Sequence, residues 1–382
     1  MGDPLYAEGV DLTVFLIVVG KVLVVFAFLM VSVLFMVWFE RKVISDMQNR
    51  IGPDRAGPWG IGQTLADGIK LFFKEALMPD RADRRVFMLA PFLSIVPAFL
   101  IFAIVPFGDE ITIAGRRTQM QLADPPVGVL FLLAMSSIAV YGIMLAGWSS
   151  GSKYPLLGSV RASAQMVSYE AAMSLAIAAV VLSAGSLSTR DIVNEQAMYR
   201  WNLWVLGVVP FVIYIIAATA ELNRPPFDLV EAEQELVGGF HTEYSSISFA
   251  LFFLAEFMNV VTMSAVAVTL FLGGPNGPRI GFLPDLWPVV WFMGKLLLFL
   301  FAYVWLRATL PRFRYDQLMD LGWKKLIPLG LYWLLLIASL RIGRDQGWNS
   351  YVVLAAGVAV GLVAWAALGA ALRRGEAVEA AA

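Results

Sequence analysis

The sequence predicts an all-α, polytopic integral membrane protein. The mean hydropathy of the 382 residues is +0.74, and charged residues make up only 15% of the chain. In soluble domains about a quarter of the residues are charged. Several apolar runs also reach the roughly 20 residues that an α-helix needs to cross the hydrocarbon core of a bilayer. These observations exclude an ordinary soluble domain.

Nine membrane-spanning helices are predicted from apolar windows of about 19 residues. They lie near residues 13–38, 86–106, 127–149, 162–184, 203–221, 246–272, 287–309, 326–343 and 350–371. Of the 28 Lys and Arg residues, nineteen then fall on one side of the membrane and seven on the other, while Lys21 and Lys295 lie inside spans. Because the side rich in Lys and Arg is cytoplasmic, we expect the N-terminus outside and the C-terminus in the cytoplasm.

Cysteine is absent and His241 is the single histidine. An iron–sulfur cluster bound by thiolates, a haem held by two histidines and a zinc site with several Cys or His ligands are therefore excluded within this chain. We expect neither a metal nor a bound cofactor. His241 falls in a polar turn and is interpreted as a surface or capping residue rather than as a proton relay.

An amphipathic helix is predicted within "ERKVISDMQNRIGPDRAGPWGIGQTLADGIKLFFKE", residues 40–75. At 100° per residue its apolar face consists of Ile61, Leu65, Ile69, Phe72 and Ala76. Such a helix lies in the plane of the lipid headgroups on the cytoplasmic side. Lys70 and Lys74 on the opposite face suit lipid phosphates, whereas Asp67 gains nothing from them.

A carboxylate is predicted inside the fourth span. The stretch "GWSSGSKYPLLGSVRASAQMVSYE", residues 147–170, is interpreted as a short polar cytoplasmic turn that enters this span. On the helix Glu170 points away from Arg161, so the two cannot pair. A charge at the centre of a span costs at least about 2.5–3.5 kcal/mol, so a used or paired acid is expected.

The stretch "AELNRPPFDLVEAEQELVGGF", residues 220–240, is the most acidic part of the chain. Asp228 and Glu231 form a capping-box pattern, which would explain Asp228 as a helix cap. It does not explain the acids that share the segment or follow it, which are Glu221, Glu233, Glu235 and Glu243. Closely spaced carboxylates in a poorly solvated setting cannot all ionise. We therefore predict a protonatable path, to which Glu256 in the sixth span also belongs. A structural ion pair between helices is the alternative for Glu256 and for Lys295 in the seventh span.

Several of these motifs together resemble one family. ERKV, QNRIGP, SKY, LLG, SYE, NRPPFDL, ELVGGF and LAEF, with "WLRATLPRFRYDQLMDLGWK" at residues 305–324, look like the membrane-arm H subunit of bacterial respiratory complex I, the proton-translocating NADH:quinone oxidoreductase. The resemblance runs over residues 12–343. It implies a core of eight spans at 1–343 and an additional span with a tail at 344–382.

The resemblance also implies a non-redox subunit of the plasma membrane that forms a quinone chamber beside the peripheral arm. Its partners would be peripheral-arm subunits and small and antiporter-like membrane subunits, together with quinone and lipids; NADH, FMN and iron–sulfur clusters would be bound by partner subunits, and no nucleic acid is expected. The implied chamber residues are Glu40, Arg41, Arg50, Asp67, Lys70, Arg224 and Asp228. The implied proton path, here called the acidic path, consists of Glu170, Glu221, Glu231, Glu233, Glu235, Glu243 and Glu256.

Two other functions remain open from the residues alone. A membrane subunit of an energy-converting hydrogenase would share the architecture without using quinone. An autonomous secondary transporter would use a Glu–Lys pair near the bilayer centre as its ion site, but such folds show inverted repeats, and no convincing repeat relates the two halves of this sequence.

Overall fold

The computed structural model describes residues 3–7, 9–196, 200–228, 237–279, 281 and 285–379. Within these ranges eight helices are long and apolar enough to cross a membrane. They are α1 (Leu12–Met47), α3 (Arg84–Phe102), α4 (Gly128–Ser149), α5 (Lys153–Ala184), α9 (Ser246–Phe271), α10 (Trp287–Thr309), α11 (Tyr315–Asp345) and α12 (Ser350–Glu379). The remaining helices are α2 (Gln63–Phe73), α6 (Thr189–Glu195), α7 (Asn202–Val205) and α8 (Val208–Glu221). The all-α membrane fold predicted from the sequence is confirmed.

Among the predicted spans, the fifth differs most from the structure. The structure has only the 14-residue helix α8 there, preceded by α7, and Gly207 between them has a φ of 79°. At 1.5 Å per residue α8 is about 21 Å long, which is short of the roughly 30 Å hydrocarbon core. The predicted count of nine full spans is therefore eight plus this short helix, and Glu221 is its last residue.

Two predicted spans are longer than hydropathy indicates. α5 begins at Lys153, so the polar turn expected between the predicted spans 127–149 and 162–184 is wrong in extent: only three residues connect α4 to α5. α1 continues to Met47, which places Glu40 and Arg41 on the helix rather than in the loop after it. Polar residues can continue a helix beyond the bilayer because water solvates their side chains there, which a hydropathy window does not register.

A small β-hairpin interrupts the helices between α3 and α4. β1 (Glu110–Ile113) pairs antiparallel with β2 (Arg116–Gln119). The two turn residues, Ala114 and Gly115, both have positive φ, as a two-residue hairpin turn requires. Asp3 holds this hairpin by accepting hydrogen bonds from the hydroxyl of Thr118 and the backbone of Gln119.

The helix α9 forms the centre of the bundle. Of the 18 consecutive residues that form its most apolar stretch, 72% are buried, whereas no residue of the corresponding stretch of α12 is buried. α12 packs along α11, where Gly357 and Gly361 leave room for the side chains of Leu336 and Tyr332. The amphipathic helix α2 leaves its apolar face exposed, as expected for a helix that lies in the headgroup plane.

Candidate functional site

A chain of alternating charges joins four segments of the structure. Glu40 of α1 contacts two arginines, Arg307 of α10 and Arg224 of the loop after α8. Arg224 Nη1 lies 2.5 Å from Glu40 Oε2, and Arg224 Nε lies 2.9 Å from Glu256 Oε1 on α9. The order is therefore Arg307, Glu40, Arg224, Glu256, and we call these four residues the charge chain.

The centre of the charge chain is almost dry. The side chains of Glu40 and Arg224 are each only 7% exposed, and the guanidinium of Arg224 lies 4.2 Å from the ring centroid of Phe257. A buried charge is strongly unfavourable unless it is paired, so Glu40 and Arg224 depend on each other. Any change that draws Arg224 away from one carboxylate affects the other.

The charge chain borders a cavity of about 540 Å³, which we call the chamber cavity. It is lined by Glu40, Arg41, Arg50, Arg224, Glu256 and Arg307, and by apolar side chains that include Val37, Ile44, Phe253 and Phe257. Four of the seven residues predicted for the chamber, Glu40, Arg41, Arg50 and Arg224, are thus brought together. Glu256, predicted for the acidic path, lies on this wall as well.

The other three predicted chamber residues do not line the cavity. Asp67 lies 2.9 Å from Nη1 of Arg41 and 3.7 Å from Nζ of Lys70, so it holds Arg41 from the side of α2. Asp228 is 6% exposed and lies 2.9 Å from Nη2 of Arg312. The structure places these residues behind the wall, in positions that support it.

Arg307 is the functional candidate that sequence reasoning missed. It falls at the end of the predicted seventh span within the motif "WLRATLPRFRYDQLMDLGWK", where a basic residue is expected on the cytoplasmic side. Its partner Glu40 is 267 positions earlier in the chain, and no spacing rule connects the two. The position of Arg307 near the predicted membrane boundary was the only feature of the sequence that could have drawn attention to it.

A second cavity has a volume of about 70 Å³. Glu256 and Phe253 line both this cavity and the chamber cavity. The second cavity is also lined by Asn259 of α9 and by Glu221. Two acids predicted for the path therefore face one shared space.

Glu221 and Glu170 each accept a hydrogen bond from a serine of α4. Ser136 donates a hydrogen bond to Glu221 Oε1, and the next residue, Ser137, donates one to Glu170 Oε1. Glu221 is 7% exposed, and its Oε2 has no hydrogen-bond partner among the described residues. Glu256 and Glu221 thus line one cavity, and Glu221 and Glu170 accept hydrogen bonds from adjacent residues of α4.

The rest of the predicted acidic path is placed differently. Glu231, Glu233 and Glu235 lie outside the described residues. Glu243 follows the short helical turn Gly239–His241 and lines neither cavity.

His241 is not the surface residue that the sequence suggested. It is partly buried, packs edge-on against Phe240 and Phe249, and lines the second cavity beside Glu221 and Glu256. Burial lowers the pKa of His241 to about 4, because the charged imidazolium is less well solvated there than the neutral ring. Near neutral pH the cavity wall therefore carries a neutral imidazole.

A structural ion pair, the alternative considered for both Glu256 and Lys295, is formed by Glu256, whereas Lys295 has no ion-pair partner among the described residues. Lys295 Nζ donates to the backbone carbonyls of Leu272, Gly274 and Asn276 at 2.7, 2.9 and 2.8 Å, and so satisfies carbonyls that follow the end of α9. Glu256 pairs with Arg224 instead. The Glu–Lys ion site that a secondary transporter would need is absent from the described residues.

Comparison with known proteins identifies the family of the chain. The sequence matches the family model described as NADH dehydrogenase over residues 20–338. Three curated relatives are named as H subunits of NADH-quinone oxidoreductase. The relative from Frankia alni is 55% identical over 360 residues, which cover 93% of this chain and 79% of the relative. That from Frankia casuarinae is 57% identical over 333 residues (86% and 73%), and that from Streptomyces avermitilis is 53% identical over 358 residues (90% and 78%). The chain therefore belongs to the family of the H subunits of NADH-quinone oxidoreductase, respiratory complex I.

Proposed function

We propose that this subunit forms the quinone chamber of the complex and couples quinone reduction to proton translocation through its carboxylates. The observation that carries the proposal is the position of Glu256. It pairs with Arg224, which also pairs with Glu40 on the chamber wall, and it faces a second cavity that contains Glu221.

The chamber cavity suits a quinone headgroup in size and chemistry. Its volume of about 540 Å³ lies within the range of small-molecule pockets, about 300–1,000 Å³. Arg41 and Arg50 on its wall can donate hydrogen bonds to quinone oxygens, while Phe253 and Phe257 offer apolar surface. The electrons would come from an iron–sulfur cluster of a neighbouring subunit, since this chain has no cysteine.

Coupling would begin with competition for Arg224. Negative charge that develops on a reduced quinone attracts the arginines of the wall, and Arg224 then holds Glu256 less strongly. A carboxylate that loses its cationic partner in a poorly solvated position binds a proton more readily. Glu256, which lines both cavities, would then take up a proton from solvent.

Proton uptake by Glu256 would then affect the other residues of the acidic path. From Glu256 the second cavity leads to Glu221, and the adjacent serines of α4 lead to Glu170. We assign Glu231, Glu233, Glu235 and Glu243 to the same path on the cytoplasmic side. Antiporter-like membrane subunits would receive the signal beyond Glu170.

The remaining assignments follow from this role. The peripheral-arm subunits that hold NADH, FMN and the iron–sulfur clusters would dock over the chamber on the cytoplasmic side, with the N-terminus of this chain outside and the C-terminus inside. Lipids would cover the exposed apolar faces. Residues 1–343 would form the working core and residues 344–382 a peripheral addition.

Glu170→Gln in the assembled complex tests the coupling role. Replacement keeps the size of the side chain and its bond with Ser137 but removes the exchangeable proton, so proton translocation in vesicles should fall severalfold while the complex remains intact. Glu110→Gln, at an exposed hairpin position, is the matched control. Full translocation by the Glu170→Gln complex would remove Glu170 from the path.

A further inference from the structure

We propose that Lys295 and the polar groups around it insulate the acidic path from the outer face of the membrane, with the ammonium of Lys295 as an electrostatic barrier to protons. Lys295 precedes Arg307 of the charge chain by 12 residues on α10, which places it about 18 Å away along the helix. This inference rests on the proposed function of the acidic path. It adds to that function a direction in which protons do not leave.

α9 is dry between the acidic path and its far end. Asn259 is the last residue of α9 that lines the second cavity. All residues of α9 from 260 to 271 are buried, and at 1.5 Å per residue this stretch is about 18 Å long. A cavity beside Val266 and Leu270 has a volume of only about 10 Å³, which is at the lower limit for one water molecule.

The hydroxyl groups within this dry stretch do not form a proton-conducting chain. Ser264 donates to the carbonyl of Val260, and Thr269 donates to the carbonyl of Ala265, so both hydroxyl protons are engaged within the helix itself. The hydroxyl of Thr262 has no hydrogen-bond partner among the described residues. A single free hydroxyl does not bridge about 18 Å, so the stretch separates the acidic path from the far end of α9.

A polar plug, formed by Gln196, Asn202, Asn276 and Lys295, lies beyond the dry stretch. The side-chain amide of Asn276 donates to the carbonyl of Gln196 at 2.7 Å. Oε1 of Gln196 accepts hydrogen bonds from the backbone of Asn202 at 3.1 Å and of Gly273 at 2.9 Å. These bonds join the segments that follow α6 and α9, and they occupy donors and acceptors that a chain of waters would need.

Lys295 gives the polar plug a positive charge. Its Nζ donates to three backbone carbonyls at 2.7–2.9 Å, and this number matches the three N–H donors of an ammonium group. Nζ also lies 5.1 Å from the ring centroid of Trp201, and the face of an indole ring attracts a cation. Because no carboxylate of the described residues neutralises this charge, it repels an approaching proton, as fixed cations do in pores that exclude protons.

The barrier determines where protons of the acidic path can go. A proton held by Glu256 or Glu221 meets the dry stretch and then the charge of Lys295 in the outward direction. It therefore returns to the cytoplasmic side or moves laterally toward Glu170. On this account Lys295 preserves the proton gradient that the assembled complex builds.

The passive proton permeability of vesicles that contain the assembled complex tests the barrier, without NADH and therefore without turnover. Lys295→Gln removes the charge and keeps an amide donor. Proton influx driven by a potassium diffusion potential should rise by about tenfold, the factor that corresponds to a lost repulsion of about 1.4 kcal/mol. Lys295→Arg, which keeps the charge, should leave the vesicles tight. Lys21→Gln is the matched control, since it removes a cation of α1 that pairs with Asp3.

Equal proton permeability of the Lys295→Gln and wild-type complexes overturns the inference. A leak of the same size in Lys295→Arg does so too, because the group would then be structural and its charge irrelevant. If Lys295→Gln does not assemble, Trp201→Glu replaces it, since a carboxylate beside the ammonium neutralises the barrier; Trp201→Gln is its control, and equal permeability of these two variants contradicts the inference.

A double variant separates this inference from the proposed function. The leak of Lys295→Gln should disappear when Glu256→Gln is added, because protons would reach the plug through the acidic path. A leak that persists in the double variant supports the barrier at Lys295 and removes Glu256 from the path, so that the proposed function fails while the inference stands.

Discussion

Nε of Arg224 lies 2.9 Å from Oε1 of Glu256; both residues line the chamber cavity, and Glu256 lines the second cavity as well. Because Arg224 also pairs with Glu40, one guanidinium is shared by a carboxylate on α1 and a carboxylate on α9. A charge that appears on either side of the pair therefore acts on both carboxylates.

Replacing Arg224 by Gln should destabilise the subunit and abolish coupled turnover. Loss of one partner of a buried ion pair leaves an uncompensated charge and costs about 3–5 kcal/mol. The double variant Arg224→Gln with Glu256→Gln should regain part of that stability, since Glu40 keeps Arg307 as a partner in the single variant whereas Glu256 loses Arg224. Thermal unfolding of the purified complex measures the effect. A double variant no more stable than Arg224→Gln would show that Glu256 does not depend on Arg224.

Arg41→Ala should weaken the use of quinone specifically. Arg41 lies on the wall of the chamber cavity, held there by Asp67, so its loss should raise the KM for a short-chain quinone while NADH oxidation with an artificial electron acceptor is unchanged. Arg85→Ala removes an exposed cation that does not line the cavity and serves as the control. Equal KM values for both variants and the wild type would argue against a quinone at this wall.

His241 should make the complex less stable as the pH falls. Its pKa is lowered to about 4 from the ordinary 6.5 by burial, so the unfolded chain binds more protons than the folded chain between these values. The resulting loss of stability begins below about pH 6.5 and grows by roughly 1 kcal/mol for each further pH unit until the folded pKa is reached.

A His241→Gln variant should lack this component of the pH dependence. Its thermal midpoint should therefore fall less than that of the wild type between pH 7.5 and pH 5.5. An equal fall of the thermal midpoint in the two proteins would mean that the imidazole is solvated in the complex and is not part of the cavity wall.

Deletion of α12 should leave the complex assembled and active. No residue in the apolar window of α12 is buried in this chain, and the helix packs against α11 only at partly exposed positions such as Gly357 and Gly361. A chain that ends at residue 346 should therefore give quinone reductase activity close to that of the full chain. Loss of assembly would show that residues 344–382 hold a partner subunit.

Glu235→Gln is expected to impair proton translocation with little effect on assembly. Glu235 lies outside the described residues, so this prediction rests on the acidity of the segment and on its resemblance to the family. Measurement of proton uptake by vesicles that contain the variant complex checks it. Normal translocation would restrict the path to Glu256, Glu221 and Glu170.

The sequence predicted the class of fold and much of the site, for identifiable reasons. Hydropathy located the spans because the hydrocarbon core demands apolar residues, but it could not show that α5 continues to Lys153 outside the core. Family motifs identified Glu40 and Arg224, which lie inside them. They could not show that Arg307 meets Glu40, nor that Lys295 bonds to backbone carbonyls instead of Glu256, because both contacts depend on how distant helices pack. His241 was misjudged because a polar stretch does not show which of its side chains turns inward.

The most direct test is a simultaneous measurement of quinone reduction and proton translocation in vesicles that contain the Glu256→Gln complex. Gln keeps the shape of the wall but carries neither charge nor exchangeable acid, so the account predicts that translocation falls severalfold while the Glu110→Gln control behaves as the wild type. Proton translocation per quinone reduced equal to that of the wild type, at an undiminished rate, would contradict the claim that Glu256 links the two cavities.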